Sequence, residues 1–300
     1  MQLVVYRLVY PIIWILSRIP WWLFYKISDV VYFFLYYIIR YRRATVMKNL
    51  RLVFPDKSKA ELIRISKASY KHMCDMFLEM TRTLSISEDE MVKRFQMTNL
   101  EIFDDLAKKN ESIIAMMGHY NSYEWTNSLE IVTDFRCVGV YKPLKNKYFD
   151  ALAHRIRGRF GSKIVAKRNI FKQVLLDQRK KEELYIYGLI SDQSPKIHKA
   201  NIWTEFMGIR VPSINGAELM ANKTGLSVFY LHVEKVKRGY YSATLIPITT
   251  NPKEEDEFYI TKKFIELLEN QIKSDPGNYL WTHKRWKHRN ALIPEGAKVA

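Results

Sequence analysis

Between residues 95 and 190, short apolar runs alternate with longer amphipathic segments, and this alternation constrains the fold more than any other feature of the chain. Strands are predicted for the apolar runs, at 95–98, 112–117, 136–141, 162–166 and 184–190. Helices are predicted between them, at 99–109, 121–132, 145–159 and 169–181. Since such alternation is typical of parallel strands with helices packed on them, we predict an α/β fold with a mainly parallel central sheet flanked by helices.

The flanking regions are predicted to be mostly helical. Upstream, the pattern indicates a short basic amphipathic helix at 43–54 and a long helix at 57–84. Downstream, the predicted elements are a helix at 213–224, a strand pair at 226–236 and 240–248, and an amphipathic helix at 258–273. The sequence has no internal repeats and no low-complexity linkers, which fits one large domain with an N-terminal appendage.

Residues 1–41 are apolar, rich in aromatic side chains, and free of acidic residues before Asp29. The run at 8–25 is interrupted by two prolines and an arginine, and the run at 30–39 is short, so neither is a clean span of about 20 residues. Residues 1–41 are compatible with four arrangements: two half-length segments, a tilted hairpin, one kinked helix, or a hairpin buried in the core. Because Tyr and Trp are enriched at membrane interfaces, we predict a helical membrane-associated segment at 1–41 and a domain at 42–300.

The positive net charge of the chain indicates which classes of partner it binds. Lys and Arg total 48 against 31 Asp and Glu, a net charge of +17, which indicates nucleic acid, anionic lipid, or an acidic protein or substrate. Nucleic acid is disfavoured, because the basic-aromatic tail at 281–289 is short and the sequence lacks the common nucleic-acid-binding motifs. The cations that follow residue 41 predict a cytoplasmic domain by the positive-inside rule.

Cysteine and histidine usage favours neither a disulfide framework nor a metal site. Cys74 and Cys137 are predicted to be buried free thiols, which fits a reducing compartment. His72 and Cys74 are two positions apart on a predicted helix, so they point to different faces. The sequence has no further cysteine pair and no HExxH motif, and no metal is expected.

His119 and Glu124 form the first candidate for chemistry. The apolar strand at 112–117 is broken by Gly118, and Asn121 is predicted to cap the next helix, so His119 is expected at the carboxyl edge of the sheet. Glu124, about one helical turn further on, fits a role in holding the imidazole tautomer so that the other ring nitrogen accepts a proton. A capping box, with Glu124 reaching back to the backbone of Asn121, fits the same residues.

Other polar segments also follow predicted strands and are expected at the same edge. Lys142 follows the strand at 136–141, and Asp192 and Gln193 follow the strand at 184–190. Arg157 and Arg159 lie near the end of a predicted helix, where cations favour the dipole. A polar turn and a solvated helix end are the plainer interpretations of these segments.

Taken together in order and spacing, these segments match a known family. The chain resembles the bacterial lipid A biosynthesis acyltransferases, the lauroyl/myristoyl branch of the lysophospholipid acyltransferase superfamily. The matching segments are Arg42-Arg43, Asn49-Leu50, Phe54-Pro55, Asn99-Leu100-Glu101, the block Gly118 to Trp125, Val140 to Pro143, Arg157, Gly161, Asp192-Gln193, Phe206-Met207-Gly208 and the tail Tyr279 to Lys287. The chain departs from the family at Lys142, where many members have Arg. The lysine keeps the positive charge but lacks the bidentate fork of a guanidinium.

The resemblance implies a glycerolipid acyltransferase-like fold and an acyl transfer from a thioester to a lipid hydroxyl. His119 would be the general base and Glu124 would orient it, with direct attack on the thioester and no acyl-enzyme. Arg157 is the first candidate for the cation that stabilises the oxyanion, followed by Arg159 and Lys142. Asp192 and Gln193 are expected to support the site or contact the acceptor. No cofactor is implied, since the acyl thioester is a co-substrate.

The implied partners account for the positive charge. They are an acidic acyl carrier protein as donor, a glycolipid acceptor and an anionic membrane, with the enzyme at the bacterial inner membrane and its catalytic domain facing the cytoplasm. Two alternatives stay open: a different acceptor, such as a lysophospholipid or an aminoacyl lipid, or a non-catalytic protein that binds anionic membranes. Loss of turnover on removal of the His119 side chain would separate an enzyme from a binding protein.

Overall fold

The computed structural model describes residues 1–180 and 182–300, and it centres on a seven-stranded sheet with helices on both faces. The helices are α1 (Gln2–Leu16), α2 (Trp21–Phe33), α3 (Arg43–Val53), α4 (Lys59–Arg82), α5 (Glu88–Arg94), α6 (Glu101–Lys108), α7 (Lys147–Arg157), α8 (Ile170–Asp177), α9 (Gly216–Thr224) and α10 (Tyr259–Ser274). The strands are β1 (Phe95–Met97), β2 (Ile113–Met117), β3 (Arg136–Tyr141), β4 (Lys163–Ala166), β5 (Tyr185–Ile190), β6 (Ile202–Phe206), β7 (Ile209–Pro212), β8 (Ser227–Lys237), β9 (Tyr240–Thr249) and β10 (Lys298–Val299). Short 3-10 helices lie at Tyr123–Ile131, Lys167–Asn169, Ile197–Lys199 and Pro276–Asn278, and a π-helical turn lies at Phe34–Ile38.

The large sheet has the strand order β1-β9-β8-β2-β5-β3-β4. The pairs β1–β9, β8–β2, β2–β5, β5–β3 and β3–β4 are parallel, whereas β8 and β9 form an antiparallel hairpin. The predicted mainly parallel α/β sheet is therefore confirmed. Each strand predicted between residues 95 and 190 is present, with bounds that differ from the prediction by at most one residue.

Two features differ from the prediction. The segment at 121–132 forms a 3-10 helix over Tyr123–Ile131 instead of an α-helix. A second, three-stranded sheet of order β10-β6-β7 was not predicted. Its hairpin turns through Met207 and Gly208, whose φ angles of 55° and 71° suit a tight two-residue turn. Because methionine is unusual at such a turn, the sequence carries no clear signal for this hairpin.

The central strand β2 is buried on both faces, which explains its uninterrupted apolar sequence. Ile114 and Met116 belong to the core cluster that contains Phe264 and Leu268 of α10. The alternate residues of β2 pack into a second cluster with Trp125, on the other face of the sheet. Both cysteines are buried free thiols, as predicted.

The N-terminal segment is helical and is anchored to the rest of the protein by α2. Phe24 and Tyr36 are fully buried, and the Ser28 hydroxyl donates a hydrogen bond of 2.6 Å to Asp75 of α4. Within the described residues, no single helix is both long and apolar enough to cross a bilayer, whereas Trp21–Ile38 and Arg43–Val53, bent by 84°, pass that test as a pair on length and composition. The division of the chain at residue 41 stays a prediction.

Candidate active site

The end of strand β2 is shaped by a close approach of α10. A Cβ atom at Gly118 would lie 2.6 Å from Cδ1 of the buried Leu268, so a side chain at this position would force Leu268 to move. Strand β2 ends at Met117, and His119 therefore lies at the carboxyl edge of the sheet, as predicted.

The loop after β2 is fixed by the C-terminal segment of the chain. The backbone N–H of Leu280 donates to the His119 carbonyl (3.2 Å), and that of Asn121 donates to the Asn278 carbonyl (3.2 Å). The Asn121 side chain donates to the carbonyl of Val233 at 2.6 Å, and its backbone has a φ of 50°. The predicted helix cap at Asn121 is wrong, because the following 3-10 helix begins at Tyr123 with Ser122 before it, and Oδ1 of Asn121 accepts no hydrogen bond within the described residues.

His119 is paired with Asp192 across two neighbouring strands. The parallel register of β2 and β5 aligns Met117 with Ile190, and the same register continued by two residues aligns His119 with Asp192. Nδ1 of His119 lies 2.6 Å from Oδ1 of Asp192. The other carboxylate oxygen of Asp192 accepts a hydrogen bond of 3.1 Å from the Tyr279 hydroxyl. The Asp192 side chain is 2% exposed and that of His119 is 17% exposed.

The electrostatics of this pair set the proton on Nδ1. Burial lowers the pKa of His119, but the charge and hydrogen bond of Asp192, with the charge of Glu124, outweigh it and raise that pKa above its usual value. Burial also raises the pKa of Asp192, yet its interactions with His119 and Tyr279 hold it below the usual range. An ionised Asp192 accepts the Nδ1 proton and leaves Nε2 as the acceptor of the neutral imidazole.

Gln193 contacts the second nitrogen of the same imidazole. Its side-chain nitrogen lies 3.1 Å from Nε2 of His119. When Nδ1 carries the proton, Nε2 accepts a hydrogen bond from this amide. Gln193 therefore saturates the nitrogen that would receive a proton from a bound hydroxyl group.

Glu124 is bound to Arg157 instead of His119. The guanidinium of Arg157 donates from Nε and Nη2 to the two carboxylate oxygens, at 2.9 and 2.7 Å. The prediction that Glu124 is hydrogen-bonded to the imidazole is wrong, because the segment forms a 3-10 helix and because β5 supplies the nearer carboxylate, Asp192. Glu124 remains close enough for its charge to raise the pKa of His119.

A narrow cleft of about 70 Å³ lies between the Glu124–Arg157 pair and the ends of β2, β3 and β5. Its walls include the apolar side chains of Met117, Val140 and Ile164. The cleft thus combines an apolar wall with a fixed cation, an arrangement suited to a polarised carbonyl group with apolar atoms beside it.

Comparison with known proteins decides the family. The sequence model described as bacterial lipid A biosynthesis acyltransferase matches residues 2–288. The chain belongs to this family. It is 22% identical over 256 residues to a lipid A biosynthesis palmitoleoyltransferase of Escherichia coli K12, covering 84% of this chain and 80% of that one. It is 20% identical over 286 residues to the lauroyltransferase of the same organism, covering 94% and 91%.

The lipid A acyltransferase family therefore includes this chain, and the protein is an acyltransferase, as the resemblance implied. Of the three predicted cations, Arg157 lines the cleft. Arg159 instead donates to the carbonyl of Ile86 at 3.5 Å, and Lys142 is exposed beyond the end of β3. Among the described residues, no cluster of three or more His, Cys, Asp and Glu side chains is suited to hold a metal ion.

Two residues of the candidate site were not singled out in the sequence. Tyr279 donates to Asp192, and His283 accepts a hydrogen bond of 3.3 Å from the backbone N–H of Ser194. Burial lowers the pKa of His283 to about 4, so this imidazole is neutral near pH 7. Both lie in the aromatic-basic tail, whose only signal in the sequence was its family likeness.

Proposed function

We propose that this acyltransferase moves a fatty acyl chain from the thioester of an acidic acyl carrier protein to a hydroxyl group of a lipid A precursor, with His119 as general base. The observation that carries the proposal is the His119–Asp192 pair, which leaves Nε2 as a proton acceptor. Glu124, which holds Arg157 at the cleft, is close enough for its charge to raise the pKa of His119. The names of the relatives, a palmitoleoyltransferase and a lauroyltransferase of lipid A biosynthesis, support a fatty acyl group and a lipid A-type acceptor.

The proposed reaction is a direct displacement. Nε2 of His119 removes the proton of the acceptor hydroxyl while its oxygen attacks the thioester carbonyl, which forms a C–O bond and a tetrahedral oxyanion. Asp192 stabilises the imidazolium that results. Collapse of the intermediate breaks the C–S bond, and the departing thiolate takes the proton from Nε2. The ester and the free thiol leave, and His119 returns to its neutral form without an acyl-enzyme.

Arg157 is the proposed stabiliser of the oxyanion. Its Nε and one N–H of Nη2 are held by Glu124, and its remaining N–H groups are free of that carboxylate. A guanidinium fixed in this way needs no reorganisation as negative charge develops on the carbonyl oxygen. Lys142 and Arg159 were expected as further cations of the site and are assigned no part in this step.

Gln193 is proposed to contact the acceptor. A hydroxyl that is to give its proton to His119 must first replace the Gln193 amide on Nε2. The displaced amide keeps a donor and an acceptor near the same position, and both suit the hydroxyl groups of a sugar or of a hydroxyacyl chain.

The N-terminal segment is proposed to hold the enzyme at the inner membrane, with the body on the cytoplasmic side. Leu8, Ile12 and Ile38 are 68%, 58% and 60% exposed, respectively, and several other apolar side chains of α1 are exposed with them, which gives a larger apolar surface than scattered single residues would. Helices with exposed apolar faces and neighbouring cations bind the interface of anionic membranes.

The proposal is tested with membrane fractions that contain the wild type, His119→Ala or His232→Ala, supplied with acyl carrier protein loaded with chains of several lengths and with lipid A precursor. Mass spectrometry of the lipid should show an added acyl mass for the wild type and for His232→Ala, whose imidazole pairs with Glu234 outside the site. General base catalysis contributes about 10²–10⁴-fold, so His119→Ala should lose nearly all of the product. Equal product from His119→Ala and wild type would refute the role of His119.

A further inference from the structure

More than half of the net charge of the protein lies in one part of the chain. The segment 142–180 contains twelve lysines and arginines but only two acidic residues, a net charge of +10 out of +17 for the whole sequence. This segment forms α7, β4 and α8, and β4 is the terminal strand of the large sheet. We call the exposed surface of these three elements the basic edge.

The two acidic residues of the basic edge are used internally. Asp150 accepts a hydrogen bond of 2.7 Å from the backbone N–H of Leu144. Asp177 is buried and interacts with Lys163 at 3.3 Å and with Gln173 at 2.7 Å. The outward charge of this surface is therefore almost entirely positive.

Helix α8 presents apolar side chains in the middle of these cations. Ile170 and Val174 are buried, whereas Phe171, Leu175 and Leu176 are 38%, 39% and 43% exposed. Residues three and four positions apart share a helix face, so Phe171 and Leu175 lie together. The same spacing places the exposed cations Arg168, Lys172 and Arg179 beside them. An apolar centre within a charged rim is the usual composition of a protein-binding surface.

The basic edge also forms one wall of the cleft. Arg157 of α7 and Ile164 of β4 line the cleft directly, beside Tyr141 at the end of β3. A partner bound to α7 and α8 would therefore lie next to the position at which the thioester carbonyl must enter. Exposed apolar residues of the N-terminal segment are available for the membrane. Helix α1 of that segment covers part of α7, where Tyr6 stacks on Tyr148, so a protein partner would meet mainly α8 and β4.

We propose that the basic edge is the docking surface for the acidic carrier protein that delivers the acyl thioester, with Phe171 and Leu175 as its apolar centre. This inference rests on the proposed function, because it assumes a protein-borne donor. Charge complementarity is the property of the surface that selects an acidic protein, and it acts mainly on encounter and on affinity for the donor.

The test uses two variants of the basic edge, Arg168→Glu/Lys172→Glu and Leu175→Ser. The control, Lys108→Glu/Lys109→Glu, makes the same charge change as the double variant, on exposed lysines at the end of α6. Binding of fluorescently labelled holo acyl carrier protein is measured directly by anisotropy, so docking is tested without turnover. We expect the Kd to rise about tenfold or more for the basic-edge variants and to stay within about twofold for the control. With lauroyl-carrier protein as donor, KM should rise in parallel while kcat at saturation changes little.

Lauroyl-pantetheine serves as a second donor, because it carries the thioester without the protein. The basic-edge variants should use it as well as the wild type does. An unchanged Kd for the carrier protein, or an equal loss of activity with both donors, would overturn the docking surface. Loss of binding to phosphatidylglycerol vesicles with an unchanged Kd for the carrier protein would assign the surface to the membrane and also overturn the inference. Failure of the wild type with every donor would count against the proposed function alone.

Discussion

The site contains two pairs of one acid and one base, His119–Asp192 and Glu124–Arg157, and their chemistry differs. In the first pair the base is a titratable imidazole held at 2.6 Å by a buried carboxylate. In the second pair the basic residue is an arginine, whose guanidinium keeps its charge at any working pH and donates two hydrogen bonds to Glu124. One pair is suited to moving a proton and the other to stabilising a fixed charge, although the sequence spacing had linked His119 to Glu124.

The largest effect is expected from breaking the first pair. Asp192→Asn removes the charge that holds the Nδ1 proton and stabilises the imidazolium, so kcat should fall by about 10²–10⁴-fold. Its pH profile provides a second readout. Since the pKa of His119 is raised above its ordinary value in the wild type, the loss of activity on lowering the pH should begin at a higher pH than for an ordinary histidine. In Asp192→Asn this acid limb should move to lower pH, and a limb that stays in place would contradict the pairing.

Breaking the Glu124–Arg157 pair should reduce kcat, but it should shift the low-pH limb of the activity profile less than Asp192→Asn does. Removal of one donor to an oxyanion typically costs about 10²–10³-fold in kcat, and this is the range expected for Arg157→Ala. Glu124→Gln leaves the guanidinium in place but weakens its anchor, so its loss should be smaller. If Glu124 acts through Arg157, the kcat of the double variant should equal that of Arg157→Ala. A kcat reduced by the product of the two single losses would show that the residues act separately.

A smaller effect is expected from Tyr279→Phe, which removes one hydrogen bond to Asp192 and keeps the ring. A net hydrogen bond to a charged group is worth about 1.5–3 kcal/mol, and only part of it should differ between the ground state and the transition state. We expect kcat to fall by about three- to tenfold with KM nearly unchanged. A loss as large as that of Asp192→Asn would mean that Tyr279 contacts the reacting atoms itself.

The smallest effect on catalysis is expected from a buried carboxylate outside both pairs. Glu79 accepts hydrogen bonds of 2.9 Å from Tyr25 and from Tyr241, and burial together with the charge of Asp75 raises its pKa to about 7. Because the pKa of Glu79 is higher in the folded than in the unfolded protein, its protonation stabilises the folded state. This contribution is fully present below the usual pKa range of carboxyl groups and is lost as the pH rises through about 7.

Glu79→Gln should therefore weaken the fall in Tm between about pH 4.5 and pH 7, without shifting the acid limb of activity. Thermal unfolding followed by circular dichroism measures the first effect, and the pH dependence of kcat measures the second. A shift of the limb as large as in Asp192→Asn would mean that buried charge in general, rather than the Asp192 contact, sets the pKa of His119.

The sequence predicted the strands of the large sheet and the edge position of His119, because both follow from local apolar runs and from the break at Gly118. The partner of His119 depends on which strand lies beside β2, and strand order is set by tertiary packing over the 73 residues that separate His119 from Asp192. Tyr279 reaches the site from 87 residues beyond Asp192, again without a local signal.

Asp192, and not Glu124, holds the tautomer of His119. NMR of protein with ¹⁵N-labelled histidine tests this directly, comparing the wild type, Asp192→Asn and Glu124→Gln as the pH is varied. We expect a neutral His119 protonated on Nδ1 and a pKa that falls markedly in Asp192→Asn but only slightly in Glu124→Gln. An unchanged pKa and tautomer in Asp192→Asn, with a large fall in Glu124→Gln, would contradict it.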